Sequence, residues 1–141
     1  MPGNSGNPLS LGQIDADLFM AEAAIREAES CSNKSGKFLR GLAAYHLQQA
    51  SEKLIKIQIY ASGVRIDNAK MYRHSLDDLI VYASSLGISL TVPKWIDSKK
   101  YIITGWEATG RYDLSFVVRL DTLKRCLDEC KNWRKDLSSI K

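Results

Sequence analysis

At 141 residues the chain has the length of one domain, because single hydrophobic cores usually hold about 100–200 residues. Hydrophobic residues make up 45% and charged residues 26%, which is enough apolar material for a core that needs neither disulfides nor a metal. No run approaches the roughly 18 apolar residues that a membrane-spanning helix needs, so we expect no membrane segment. The formal net charge of +4 arises wholly in residues 94–141, which suggests an anionic partner.

The first thirteen residues are expected to form a flexible N-terminal tail, followed by one domain over residues 14–141. The start of the tail is polar and rich in turn-forming residues, which is the opposite of a signal peptide. Three cysteines, an odd number without a secretion signal, favour reduced thiols and a cytoplasmic location.

Hydrophobic spacing then predicts five helices in chain order. They cover residues 14–29, 37–62, 75–86, 93–109 and 118–140. Turn-forming residues around 31–36, and single glycines at 63, 87 and 110, mark the ends of the first four. Signals for β-strands are nearly absent. The predicted class is therefore all-α, an up-and-down bundle of four to five helices with short connections.

The second predicted helix is apolar on two faces. Leu47 and Leu54 belong to its main stripe, whereas Ala44, Ile55 and Ile59 project from the other side. Such a helix must bury both faces, so it is either central in the bundle or half of a subunit interface. We expect at least a homodimer, because a monomer this small rarely covers both.

Two cationic or titratable side chains, His46 and Lys53, lie inside that main apolar stripe. For His46 the simplest expectation is a buried ring with a core partner. Lys53 must reach water, a carboxylate such as Glu22 or Asp77, or a ligand phosphate. Lys56 is expected on a solvated face, paired to a neighbouring carboxylate.

Three segments, in this order and spacing, resemble the HEPN family. Residues 44–56 (AYHLQQASEKLIK) are similar to the family's Gln-Gln-Ala-x-Glu-Lys-x-x-Lys helix. Residues 74–79 (HSLDDL) match a His-x-Leu-x-x-Leu element. Residues 111–113 (RYD) match an Arg-Tyr-Pro-Asp turn without its proline. The resemblance covers about residues 14–140 and implies a bundle of four or five helices that is often homodimeric.

The resemblance implies one of two functions. Some HEPN proteins are metal-independent ribonucleases, commonly toxins of toxin–antitoxin or phage-defence systems. Others bind nucleotides, or partner a small nucleotidyltransferase, without evident catalysis. A third reading is a purely structural interaction subunit.

The ribonuclease motif of the family is absent where the family places it. Nuclease members carry an Arg followed four to six residues later by a His near the start of the last long helix, which supplies a base and a cation for RNA cleavage. Here neither Arg111 nor Arg119 is followed by a histidine. Arg40 and His46 resemble the motif elsewhere, but their side chains diverge by about 120° on a helix. We therefore expect no nuclease activity, with a displaced site at this pair as the alternative.

The candidate anion site is a basic pocket formed by Lys53, Arg73, His74 and Arg111, with Tyr112 as a stacking wall. The alternative at His74 is local packing and capping. For Arg111 and Tyr112, which are predicted to lie in a loop, it is a structural staple through Asp113. We expect no metal or other cofactor.

Cys126 and Cys130 have a helical spacing that metal ligands also use. No second Cys or His pair completes four ligands, so we expect them in the core.

Overall fold

The computed structural model describes residues 8–31, 34–112 and 118–140, with side chains except at 34–35 and 108–112. All secondary structure in these ranges is helical, which confirms the all-α class. The helices are α1 Leu11–Glu29, α2 Lys34–Ala61, α3 Asn68–Met71, α4 Leu76–Ser85, α5 Lys94–Tyr112 and α6 Leu120–Asp136. The predicted count of four to five was low because it lacked the one-turn helix α3.

Helix α1 begins three residues before its predicted start, inside the segment expected to be a tail. Ser10 Oγ accepts a hydrogen bond from the Gln13 amide, and Gln13 Oε1 accepts one from the Ser10 amide. This reciprocal capping box satisfies two amides at the helix start. The Ser-x-x-Gln spacing in the sequence is the signal that the prediction overlooked.

Helix α2 is the centre of the bundle and packs against α1, α4, α5 and α6. Ala44, Ile55 and Ile59, the residues of its second apolar face, are fully buried within the single chain. The two-faced character of this helix is therefore explained by a central position. It no longer requires a second subunit, and the homodimer stays a prediction that needs other support.

Helix α4 runs in the same direction as α2, unlike the strict alternation of an up-and-down bundle. The segment after α2 returns to the middle of that helix, where Gln48 Nε2 donates to the His74 carbonyl over 3.2 Å. Helix α4 then leads back to the C-terminal end of α2. There the Thr91 carbonyl accepts from Gln58 Nε2 over 3.0 Å and from the Trp133 indole over 2.7 Å. These bonds fix one end of the bundle without regular structure in the Thr91 segment.

Helix α5 continues through Gly110, at which it was predicted to end. The backbone at Arg111 and Tyr112 is therefore helical, and the expected loop at these two residues is wrong. Asp113 lies outside the described ranges. A single glycine in a helix costs only about 1 kcal/mol relative to alanine, so packing of the rest of α5 can override it.

One face of α5 packs into the core. Ile96, Ile103 and Trp106 are buried, whereas Ile102 is exposed. Helix α6 is shorter than predicted and ends at Asp136.

Cys126 and Cys130 lie in the core as predicted. Hydrogen bonding to Cys130, together with burial, raises the pKa of the Cys126 thiol well above its ordinary value. Both residues are part of the hydrophobic core. No helix in the described part of the chain has the length and apolar character that a membrane crossing requires.

Candidate functional site

Asp17 on α1 holds both polar residues of the main α2 stripe. Its Oδ1 lies 2.9 Å from His46 Nδ1, and its Oδ2 lies 2.5 Å from Lys53 Nζ. The side chains of Asp17 and Lys53 are 10% and 24% exposed. Because the carboxylate is shared, this Asp17 cluster (Asp17, His46 and Lys53) satisfies two groups that an apolar stripe would otherwise leave unpaired. The expectation of a core partner for His46 is confirmed.

The carboxylates proposed for Lys53 were wrong. Glu22 pairs with Arg26 and Lys131, and Asp77 pairs with Lys100.

The sequence did contain a signal for the true partner of Lys53. Asp17 lies three residues after Ile14 and four before Ala21, which is the spacing of the buried face of α1.

A second charged cluster, the Glu52 cluster, joins α2 to the segment that leads into α4. Glu52 Oε1 accepts from Gln48 Nε2 over 3.0 Å and lies 2.9 Å from His74 Nδ1. Glu52 Oε2 accepts from Lys56 Nζ over 2.7 Å. The Lys56 side chain is only 12% exposed, so it does not lie on a solvated face as predicted, although its pairing to a neighbouring carboxylate is confirmed.

Burial alone would raise the pKa of the Glu52 carboxyl. The hydrogen bonds from Lys56, Gln48 and His74 outweigh that effect, and the pKa lies below the ordinary value of a glutamate. A carboxyl with a lowered pKa in the folded state stabilises the fold above its unfolded pKa. That contribution is lost as the pH falls through the folded-state value.

We therefore expect a Glu52→Gln variant to show a weaker loss of stability on acidification below about pH 4.5, near the unfolded pKa of a glutamate. The measurement is urea denaturation at a series of pH values between about 3 and 7. Glu27→Gln, which changes an exposed glutamate on α1, serves as the comparison. Equal acid slopes in wild type and Glu52→Gln would show that Glu52 carries no part of the acid sensitivity.

Arg73 and His74 are adjacent in sequence but contact different carboxylates. Arg73 pairs with Asp78 over 3.2 Å on the surface, where both side chains are about half exposed. His74 turns to Glu52 and is also about half exposed. Arg73 borders a surface cavity of 270 Å³, which we call the connector pocket. Its lining residues are Lys70, Arg73, Asp78, Val81, Tyr82 and Ser85.

Most of the first backbone amides of α4 are already engaged by hydrogen bonds. Thr104 Oγ1 accepts from the Leu76 amide over 3.0 Å, and Ser75 Oγ accepts from the Asp78 amide over 3.2 Å. Ser75 is therefore the N-cap of α4.

The described side chains of the predicted basic pocket thus do not face one common space. Lys53 faces Asp17, His74 faces Glu52 and Arg73 faces the connector pocket. The side chains of Arg111 and Tyr112 lie outside the described part of the structure. Their backbone lies about two turns beyond the contact between Thr104 and the start of α4, roughly 10 Å along α5. Whether these residues bind an anion stays a prediction.

A larger cavity of 370 Å³, the α1–α6 groove, was not foreseen from the sequence. Its lining residues are Asp15, Leu18, Phe19, Glu22, Lys131, Arg134, Lys135 and Ser138. Ion pairs cross between the two helices along this seam, in which Glu29 pairs with Lys124, Glu22 with Lys131 and Asp15 with Arg134. The seven-residue spacing of the three α1 carboxylates is the signal that predicts such a seam.

No family model, curated protein or solved structure matches the chain. The likeness to the HEPN family therefore rests on the three sequence segments. Among the described side chains, no three from His, Cys, Asp and Glu come together in a way that could hold a metal ion.

Proposed function

We propose that this chain is a HEPN-type helical module that binds an anionic nucleotide or RNA without cleaving it. The observation that supports the proposal most directly is the connector pocket, which Lys70, Arg73 and Tyr82 line together. Lys70 Nζ lies 5.9 Å from the centre of the Tyr82 ring. Cations beside an aromatic ring are the elements that hold phosphate and base in single-stranded RNA.

The charges of this pocket are accessible to a ligand. The Arg73–Asp78 pair is exposed, and exposed pairs contribute only about 0–1 kcal/mol. A phosphate can therefore take the place of Asp78 at small cost. Lys70 makes no ion pair with any described residue, so its charge is available.

The other residues of the predicted site contribute unequally to this proposal. His74 is next to Arg73, and its Nδ1 contact with Glu52 leaves Nε2 for a ligand. Lys53 is held by Asp17 and would have to break a partly buried pair to reach a phosphate. Arg111 and Tyr112 stay in the proposal through the sequence analysis alone, as a cation and a stacking surface.

The expected result in the connector pocket is that Arg73→Ala weakens binding of a short single-stranded RNA by about tenfold. Loss of one charge-assisted contact is worth about 1.5 kcal/mol or more. Fluorescence anisotropy with a labelled oligonucleotide at low salt measures the dissociation constant. Low salt is needed because phosphate contacts weaken steeply as salt rises.

Arg119→Ala is the matched control for that measurement. It removes the same charge from another exposed arginine–aspartate pair, that with Asp121. An equal loss of affinity in both variants would show that only the overall charge matters, and the connector pocket would not be the site. Absence of RNA and nucleotide binding by wild type would contradict the proposed function itself.

We further propose that the module acts as a cytoplasmic homodimer, or beside a nucleotidyltransferase partner as some members of the resembled family do. What supports self-association is an exposed apolar patch on the α1–α2 hairpin, formed by Met20, Phe38 and Leu42. Met20 is three residues from Asp17 on α1, and Leu42 is four residues from His46 on α2. The contact of Asp17 with His46 therefore places Met20 and Leu42 side by side.

A ribonuclease is the second candidate function, and one observation favours it. The hydrogen bond between Asp17 and His46 Nδ1 leaves His46 Nε2 available to a substrate. A carboxylate orients a catalytic histidine in the same way. The arginine that should accompany it, Arg40, diverges by about 120° on α2. Lys53 also shares the Asp17 carboxylate. The pairing of these three side chains is therefore explained by stability alone, without a catalytic role.

A further inference from the structure

The α1–α6 groove has a chemical character distinct from that of the connector pocket. Its floor includes the buried Leu18, and Phe19 stands in its wall with 70% of its surface exposed. An exposed phenylalanine ring in a concavity is costly to leave in water and offers a flat face for stacking. The cavity volume of 370 Å³ lies at the lower end of the range for small-ligand sites, about 300–1,000 Å³.

Two ion pairs between α1 and α6 border the groove along its length. Phe19 is four residues after Asp15 and three before Glu22, so all three lie on one face of α1. Asp15 is joined to Arg134 by two hydrogen bonds of 2.8 and 3.0 Å, and Glu22 is joined to Lys131 over 2.9 Å. These two pairs lie on either side of Phe19, so the space suits one planar group better than a partner helix or a long strand.

The charges around the ring suit a ligand that is both aromatic and anionic. Three cations, Lys131, Arg134 and Lys135, line the groove against two carboxylates. Lys135 makes no ion pair within the described ranges, and it lies one turn from Lys131 on the same side of α6. A phosphate is the anion that such a pair of lysines would bind through charge-assisted contacts.

We propose that the α1–α6 groove binds a single nucleotide, with its base stacked on Phe19 and its phosphate at Lys135 and Lys131. Asp15 and Glu22 retain lone pairs beyond those used by their cations and can accept hydrogen bonds from exocyclic amino groups of the base. This inference rests on the proposed function. It adds a second binding site for the same class of ligand, separate from the connector pocket.

The test uses the full chain and the four ribonucleoside monophosphates in calorimetric titrations. Phe19→Ala is expected to weaken binding of the best nucleotide by tenfold or more, and Phe19→Tyr is expected to keep it. Lys135→Ala is expected to weaken the monophosphate but not the corresponding nucleoside. Tyr101→Ala is the matched control, since it removes an equally exposed ring from α5.

Three results would overturn the groove site, and they differ from failure of the proposed function. The first is equal nucleotide affinity in Phe19→Ala and wild type. The second is binding of RNA that depends on Arg73 while no mononucleotide binds at all. The third is a change of oligomeric state in Phe19→Ala, because the groove would then be an interface between copies. Only the absence of both nucleotide and RNA binding in wild type would remove the two proposals together.

Discussion

Replacing Asp17 by alanine is expected to lower the free energy of unfolding by about 2–3 kcal/mol. Removal of one partner from a buried ion pair typically costs 3–5 kcal/mol, because the other charge stays buried without compensation. The Lys53 side chain retains some access to water, so the cost falls somewhat below that range. Urea denaturation followed by circular dichroism at neutral pH measures it.

Asp15→Ala is the matched control for Asp17→Ala. It removes the same carboxylate two residues away on α1, from an ion pair with Arg134 in which Asp15 is half exposed. Exposed pairs contribute about 0–1 kcal/mol, and the two hydrogen bonds of this pair place it at the upper end of that range. If both variants lose the same free energy of unfolding, burial of the Asp17 cluster adds nothing to its contribution to stability. A second substitution, Lys53→Met, in the Asp17→Ala background should recover part of the loss, since it removes the unpaired charge.

The same Asp17→Ala variant distinguishes the proposed binding function from the alternative ribonuclease function. We expect no cleavage of RNA by wild type in the presence of a chelator, and therefore no change on substitution. Cleavage by wild type that Asp17→Ala abolishes while the variant stays folded would assign the His46–Asp17 pair a catalytic role. The structural reading of the cluster would then be wrong.

Much of the fold followed from hydrophobic spacing, because an amphipathic helix of three or more turns has to bury one face. The long second helix was predicted in this way, and Gly63 marked its end. The errors lie where a local signal competes with packing. Gly110 was taken to end α5, although one glycine inside a helix costs only about 1 kcal/mol relative to alanine and does not by itself stop the helix.

Gly36 shows the same competition at the start of α2. It was assigned to a turn, yet the structure places it inside the helix. A Cβ atom at this position would lie 2.6 Å from the Cys31 carbonyl oxygen. The glycine is therefore needed because the chain approaches Cys31 closely as it enters α2, a local requirement that leaves no sequence signal beyond the glycine itself.

The candidate site was harder to predict because charge partners are set by three-dimensional packing. That Lys53 needs a partner followed from its apolar surroundings, but the choice among carboxylates depended on which face of α1 meets α2. Lys56 was predicted to lie on a solvated face because Glu52, four residues earlier, has the spacing of a surface ion pair on a helix. The pair is in fact covered by the His74 segment, whose path between helices no periodicity reveals.

Replacing Phe38 by glutamate is expected to convert the proposed homodimer into a monomer. Phe38 is 58% exposed on the α1–α2 hairpin, next to Leu42 on the same side of α2. A twofold interface contains each residue twice, so the substitution places two charges in an apolar contact. Central aromatic residues of interfaces contribute about 2 kcal/mol or more, which raises the dissociation constant of the dimer at least about 30-fold. Light scattering coupled to size exclusion, over a range of protein concentrations, measures it.

Tyr101→Glu is the control for Phe38→Glu, because it introduces the same charge at a similarly exposed ring on α5. It should leave the dimer intact. The fold should survive both changes, since neither ring belongs to the core, and unchanged circular dichroism spectra would verify this. A wild type that is monomeric at micromolar concentration would contradict the homodimer. A dimer that Phe38→Glu leaves intact would instead place the interface elsewhere, so that the hairpin patch would be available to a different protein such as a nucleotidyltransferase.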